Sequence, residues 1–167
     1  MKNINKNLNK DVNYEIERKF LIKTLPNNLN KYTHYEIKQG YISTNPTIRV
    51  RQQDNAYILT IKSNGVMKKE EYEITLTKEQ FENLWSKVEN NPIEKTRYII
   101  PLNNDLKAEL DIYKGNLSGF ANVEVEFPTT YDALSFTSPD WFGEEVTHNY
   151  RYSNASMAKF GIPTKNL

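Results

Sequence analysis

The chain has 167 residues, of which 38% are hydrophobic and 26% charged, enough for one domain with a real core. Its net charge of +1 excludes a strongly basic nucleic-acid surface, so no nucleic-acid partner is expected. There is no cysteine, and His34 and His148 lie far apart, which excludes disulfides, thiolate metal sites and HExxH-type zinc spacing.

From the start, "MKNINKNLNK" has no apolar stretch and reads as a secretory signal in no respect. Residues 1–12 are expected to be a disordered polar tail, and 13–167 one domain. No apolar run approaches the ~18 residues that a membrane span needs, so no membrane partner is expected and the expected compartment is the cytoplasm.

The dominant period beyond residue 12 is two, the signature of half-buried strands. Eight strands are predicted: Asn13–Lys23, Tyr35–Ile42, Thr47–Gln53, Ala56–Ser63, Met67–Thr75, Ile93–Pro101, Leu106–Lys114 and Phe120–Phe127. Turn signals between them, such as "QQDN" at 52 and "NG" at 64, imply antiparallel hairpins. "TKEQFENLWSKVE" opens with Thr77 and Gln80 in capping-box spacing and carries an apolar stripe of Phe81, Leu84, Trp85 and Val88, a helix. A short helix is predicted around Tyr131–Phe136. Another lies in "NASMAKFGIP", stopped by Gly161 and Pro163. The class is α+β, dominated by an antiparallel sheet.

Side chains two apart on a strand share a face, ~6.5–7 Å apart. On that basis Glu15 pairs with Glu17, Glu109 with Asp111 and Glu124 with Glu126. Arg49 likewise pairs with Arg51, and Lys95 with Arg97; Lys62 shares a face with Thr60. Ordinary wet faces mix signs, because like charges side by side are unfavourable. Arginine is also scarce here, five against 17 lysines, and three of the five fall in the cationic pairs. Its planar fork suits phosphate. A sheet closed with this face inward would hold an acidic wall and a basic wall. The acids suit a hard divalent cation, Mg2+ or Mn2+, and the bases a polyanion, together the apparatus of phosphoryl transfer. No Walker loop is present.

"EIERKF" resembles the ExExK signature of the CYTH superfamily, also called triphosphate tunnel metalloenzymes. The resemblance continues in order through "TIRVR", "YILTIK", "KKEEYE", "KTRY", "ELDIYKG", "VEVEF" and "EVTHNYRYSNASMA", from about residue 13 to 163. It implies an eight-stranded antiparallel closed β-barrel, a tunnel for triphosphate, with helices packed outside. It also implies that Glu15, Glu17 and Glu126 hold a metal, with Glu124, Glu109 and Asp111 serving a second metal or its water. Lys19, Arg49, Arg51, Lys62, Lys69, Arg97 and Arg151 would hold phosphates, and Lys95 resembles the lysine proposed as general base in some tripolyphosphatases. The small-molecule substrate implied is a triphosphate, foremost inorganic tripolyphosphate. Thiamine triphosphate hydrolysis, a class IV adenylate cyclase and a non-catalytic polyphosphate-binding protein stay open. A homodimer could cover outward apolar faces that the helices leave. Arg18, on the opposite face to Lys19, is expected outside the tunnel. His148 and Asn149 stand where relatives often carry a small residue and an acid.

Overall fold

The computed structural model describes residues 13–62 and 69–164. The polar tail expected at 1–12 lies outside the described residues, as do the ends of the predicted strands at Ser63 and Met67. Ten strands form one antiparallel sheet: β1 (Asn13–Glu15), β2 (Glu17–Ile22), β3 (His34–Thr44), β4 (Thr47–Gln53), β5 (Ala56–Lys62), β6 (Lys69–Leu76), β7 (Ile93–Pro101), β8 (Lys107–Tyr113), β9 (Ala121–Glu126) and β10 (Phe142–Glu145). Three helices accompany them: α1 (Lys78–Trp85), α2 (Thr130–Ser135) and α3 (Asn154–Phe160).

The hydrogen-bonded order is β1-β6-β5-β4-β3-β7-β8-β9-β2-β10. The linear order hides a closure. β1 and β2 are one predicted strand, interrupted at Ile16. Its first half faces β6, with Glu15 opposite Lys69, and its second half faces β9, with Glu17 opposite Glu126. At the break the Ile16 carbonyl accepts from Phe127 N at 2.8 Å, one step beyond the β2–β9 pairing of Glu17 with Glu126. The segment thus spans both ends of the sheet, and eight strand positions form a ring, with β10 added outside β2. The other predicted strands match observed ones to within a few residues. β10 was not predicted, because "FGEE" offers four residues, one a glycine, with no alternation.

The alternation decides which face is which. Outward residues Phe20, Ile100, Leu110, Val123 and Val125 are buried against Ala133 of α2 and against Phe142, with Phe20 and Phe142 rings 5.0 Å apart. One hydrophobic core therefore lies outside the barrel wall. Arg18 is here too: its Nε donates to Glu145 at 2.9 Å and its Nη1 to the Ala133 carbonyl at 2.8 Å.

On the opposite flank α1 packs against β4, β5 and β6. Thr77 caps it as the spacing predicts: its hydroxyl accepts from Gln80 N, and the Gln80 side chain accepts from Thr77 N. Phe81 is buried, its ring 5.0 Å from Tyr57 and 5.3 Å from Trp85. Burial of that one ring contributes about 2–3 kcal/mol. The helix ends at Trp85, short of the predicted stretch, and Val88 turns back onto β3. There a Cβ on Gly40 would meet both Val88 methyls at 2.7 Å, so only glycine permits the approach.

At one end of the barrel a second core, with Tyr41, Ile93, Tyr113 and Leu117, seats Met157 and Ala158 of α3. Ser153 caps that helix, and Gly161, at φ +79°, ends it. No helix among the described residues is long and apolar enough to cross a membrane.

Candidate functional site

The inward face encloses a cavity of about 620 Å3. Ring order sorts its charges. β8, β9, the β1–β2 segment and β6 are consecutive, and they carry Glu109, Glu124, Glu126, Glu17, Glu15, Glu71 and Glu73. The remaining arc, β5-β4-β3-β7, carries Lys62, Arg49, Arg51 and Arg97. Lys19 is the one lining cation of the acidic arc among the described residues. The like-signed pairs of the sequence thus become two facing walls.

The walls meet through ion pairs. Arg97 donates Nε to Asp111 at 2.7 Å and Nη2 to Asp111 and Glu124 at 2.7 and 2.9 Å, and its Nη1 pairs with Glu109. Lys62 Nζ bridges Glu15 at 2.5 Å and Glu71 at 2.7 Å. Lys19 Nζ lies 2.8 Å from Glu124. Burial pushes the Glu124 carboxyl up, but Lys19 and Arg97 outweigh it and hold the pKa well below the usual range.

Two acids are less well matched. Glu17 and Glu126 face each other across β2 and β9 and make no ion pair or side-chain hydrogen bond among the described residues. Burial, then Glu124 and Glu15, raise the Glu17 pKa. Burial, then Glu109, Glu15 and Glu17, push Glu126 to about 7. On the basic wall Arg49 Nη2 donates to Thr60 at 3.0 Å and lies 3.9 Å from Glu73, but its buried Nε has no partner. Arg51 donates to Gln39 at 3.3 Å and pairs with no acid; burial, then Arg49 and Arg97, bring its pKa down to about 10. Among the described residues the site is short of cations at Glu17 and Glu126 and short of anions at Arg51 and at the Nε of Arg49.

The structure places the other predicted residues differently. Lys95 and Asp111 are fully buried, paired with each other behind the cavity lining. Burial, then Arg97, lower the Lys95 pKa to about 8, against the pull of Asp111. Arg151 does not line the cavity; it donates to the Thr164 carbonyl at 3.2 Å. The side chain of Lys69 lies outside the described residues. His148 is exposed and away from the cavity lining. Glu71 and Glu73, given no role from the sequence, both line the cavity; the period of two from Lys69 was the available signal. Tyr41 and Thr60, also inward, carry no charge to mark them.

A closed antiparallel barrel with apolar residues outside and segregated charges inside defines a charged-tunnel protein. The CYTH domain family model matches residues 13–160, and the chain belongs to that family. It is 44% identical over 148 residues to an inorganic triphosphatase of Nitrosomonas europaea, covering 86% of this chain and 96% of that one. It is 35% identical over 158 residues to an inorganic triphosphatase of Acetivibrio thermocellus, covering 92% and 97%. A crystal structure of an inorganic triphosphatase superposes with TM-score 0.66 at 42% identity, over 86% of this chain and 93% of that chain. A putative adenylyl cyclase from Hippeastrum, described as having a dominant triphosphatase activity, shares the fold: TM-score 0.56 at 14% identity, over 72% and 82%.

Proposed function

We propose that this protein is a metal-dependent inorganic triphosphatase that hydrolyses tripolyphosphate to orthophosphate and pyrophosphate. The observation that carries the reading is the two-walled cavity, in which, among the described residues, Arg51 and the Nε of Arg49 lack an anion while Glu17 and Glu126 lack an ion-pair partner. The names of the two relatives, at 44% and 35% identity over nearly their whole length, point the same way.

The donor set fits a hard divalent cation. All the candidate donors are carboxylate oxygens, and the two without partners sit side by side. Among the described residues no three acids or histidines are already gathered as a metal cluster, so the glutamates would converge as the ion binds. Glu17, Glu126 and Glu15 would hold it, with Glu109 and Glu124 beside them. Mg2+ or Mn2+ there would neutralise charge on the phosphate oxygens.

Arg51 and Arg49 would take phosphate oxygens, supplying donors that are unspent in the free protein. Arg97, held by three carboxylates, would fix the acidic wall more than it binds substrate. Water attacks a terminal phosphorus, the anhydride P–O bond breaks, and pyrophosphate leaves. Lys95, with a pKa of about 8, would accept the water's proton. Its place behind the lining calls for one water molecule as a relay.

The test is product analysis across tripolyphosphate, thiamine triphosphate and ATP, each with Mg2+ and Mn2+. Orthophosphate from tripolyphosphate at the highest kcat/KM supports the reading. Cyclic AMP with pyrophosphate from ATP would make the protein a cyclase. Tight binding without phosphate release would make it a polyphosphate-binding protein.

A further inference from the structure

Among the described residues, every lining cation but two is engaged by a carboxylate within ion-pair distance: Lys19 by Glu124, Arg49 by Glu73, Lys62 by Glu15 and Glu71, Arg97 by its acids. The two are Arg51, partly buried in the wall, and Lys159, exposed at the rim on α3. Among the described residues Lys159 makes one charge interaction, with the ring of Phe160 at 5.1 Å.

The position of Lys159 is fixed. Met157 and Ala158 are buried in the core at the barrel end. The side-chain Oδ1 of Asn154 accepts from the Tyr113 hydroxyl at 2.7 Å, which ties the start of α3 to β8. With those residues turned inward to the core, helical spacing puts Ser156, Lys159 and Phe160 together on the side that lines the cavity. An ammonium with no acid partner among the described residues is thereby placed, exposed, at the rim of the cavity.

From this we infer that Lys159 is a specificity-determining residue that anchors the outer end of a linear polyanion whose inner end lies on Arg51. The inference rests on the triphosphatase reading above. The reach it supplies favours tripolyphosphate over the shorter pyrophosphate, which Arg49 and Arg51 hold without it. A lysine in the last turn also suits the helix dipole, a structural role that would affect stability and not substrate affinity.

The experiment measures kcat and KM for tripolyphosphate with Mg2+ in wild type, Lys159→Gln and Lys159→Arg, with calorimetric binding of tripolyphosphate and of pyrophosphate alongside. Lys159→Gln should raise KM about fivefold, the scale of an exposed charge contact, and leave kcat within about twofold. Lys159→Arg should restore KM. Pyrophosphate affinity should change less than about twofold. An unchanged KM in Lys159→Gln, or an equal loss for both anions, overturns the inference while active wild type keeps the triphosphatase reading. Should wild type release no phosphate, that reading falls, and the calorimetric ratio still decides the role of Lys159.

Discussion

Replacing Glu126 by Gln removes one charge from the crowded acidic wall, and the sign of its effect on stability should reverse with metal. In the folded, metal-free protein Glu126 titrates at about 7, against 4.5 for an unhindered carboxyl, through burial and the acids Glu109, Glu15 and Glu17. A raised carboxyl pKa means that the folded state binds the proton more tightly than the unfolded chain. The wild type then loses stability as pH climbs from 4.5 to about 7, and the loss is complete above that. Unscreened, the shift corresponds to ~3 kcal/mol. Glu126 is exposed, so screening by solvent reduces this to ~1 kcal/mol. In a chain of this length ~1 kcal/mol moves Tm by roughly 2–4 °C. Differential scanning fluorimetry in EDTA should therefore show Glu126→Gln melting about 2–4 °C above wild type at pH 8 and nearly level with it at pH 5. Adding millimolar Mg2+ at pH 8 should raise the wild-type Tm and leave the variant nearly unmoved, with phosphate release lost in the variant. A variant less stable than wild type at pH 8 in EDTA, or an equal gain at both pH values, would refute the charge-crowding argument.

Lys95→Arg keeps the positive charge but cannot deprotonate in the working range. If Lys95 accepts the proton, the wild-type kcat should rise with an apparent pKa near 8 and the variant profile should lack that limb; matching profiles would leave Lys95 a charge clamp. Arg51→Gln removes a cation with no acid partner, so it should weaken tripolyphosphate binding by roughly tenfold or more, read by calorimetry, without lowering Tm. Phe81→Ala, which empties the core beneath α1, should cost about 3–5 kcal/mol in urea unfolding while the KM of the folded fraction stays near wild type.

Much of the barrel was legible because its pattern is local. Period two in "TIRVR" or "VEVEF" fixes which residues share a face before any partner is known, and like-signed pairs then mark the inner face. The capping box at Thr77 was legible for the same reason: all its atoms lie within four residues. What stayed hidden depends on distant partners. Nothing in "IEKTRYII" says that Lys95 would be sealed behind the lining with Asp111 while Arg97, two residues on, reaches the cavity. That difference comes from the core at the barrel end, assembled from β3, β8 and α3. Arg151 was read from its place in a motif, yet its guanidinium turns to the 164 carbonyl, a contact no spacing rule encodes. The break at Ile16 was equally invisible, since "YEIERKF" alternates without a flaw. Only the need to pair with β6 on one side and β9 on the other forces the strand to change partners.

That break gives the first strand an unusual place in the history of each molecule. Residues 13–22 leave the ribosome before the rest of the barrel, yet their neighbours β6 and β9 come roughly 50 and 100 residues later in the chain. The hairpins from β3 to β5 and from β7 to β9 pair locally and need no help from the amino terminus. The seam between β6 and β9 is therefore closed by the segment of the barrel that is made first. Glu15 sits on the half joined to β6 and Glu17 on the half joined to β9, so an ion held by both would clasp the seam itself. With the ion so placed, zipping the seam and completing its site would be one event.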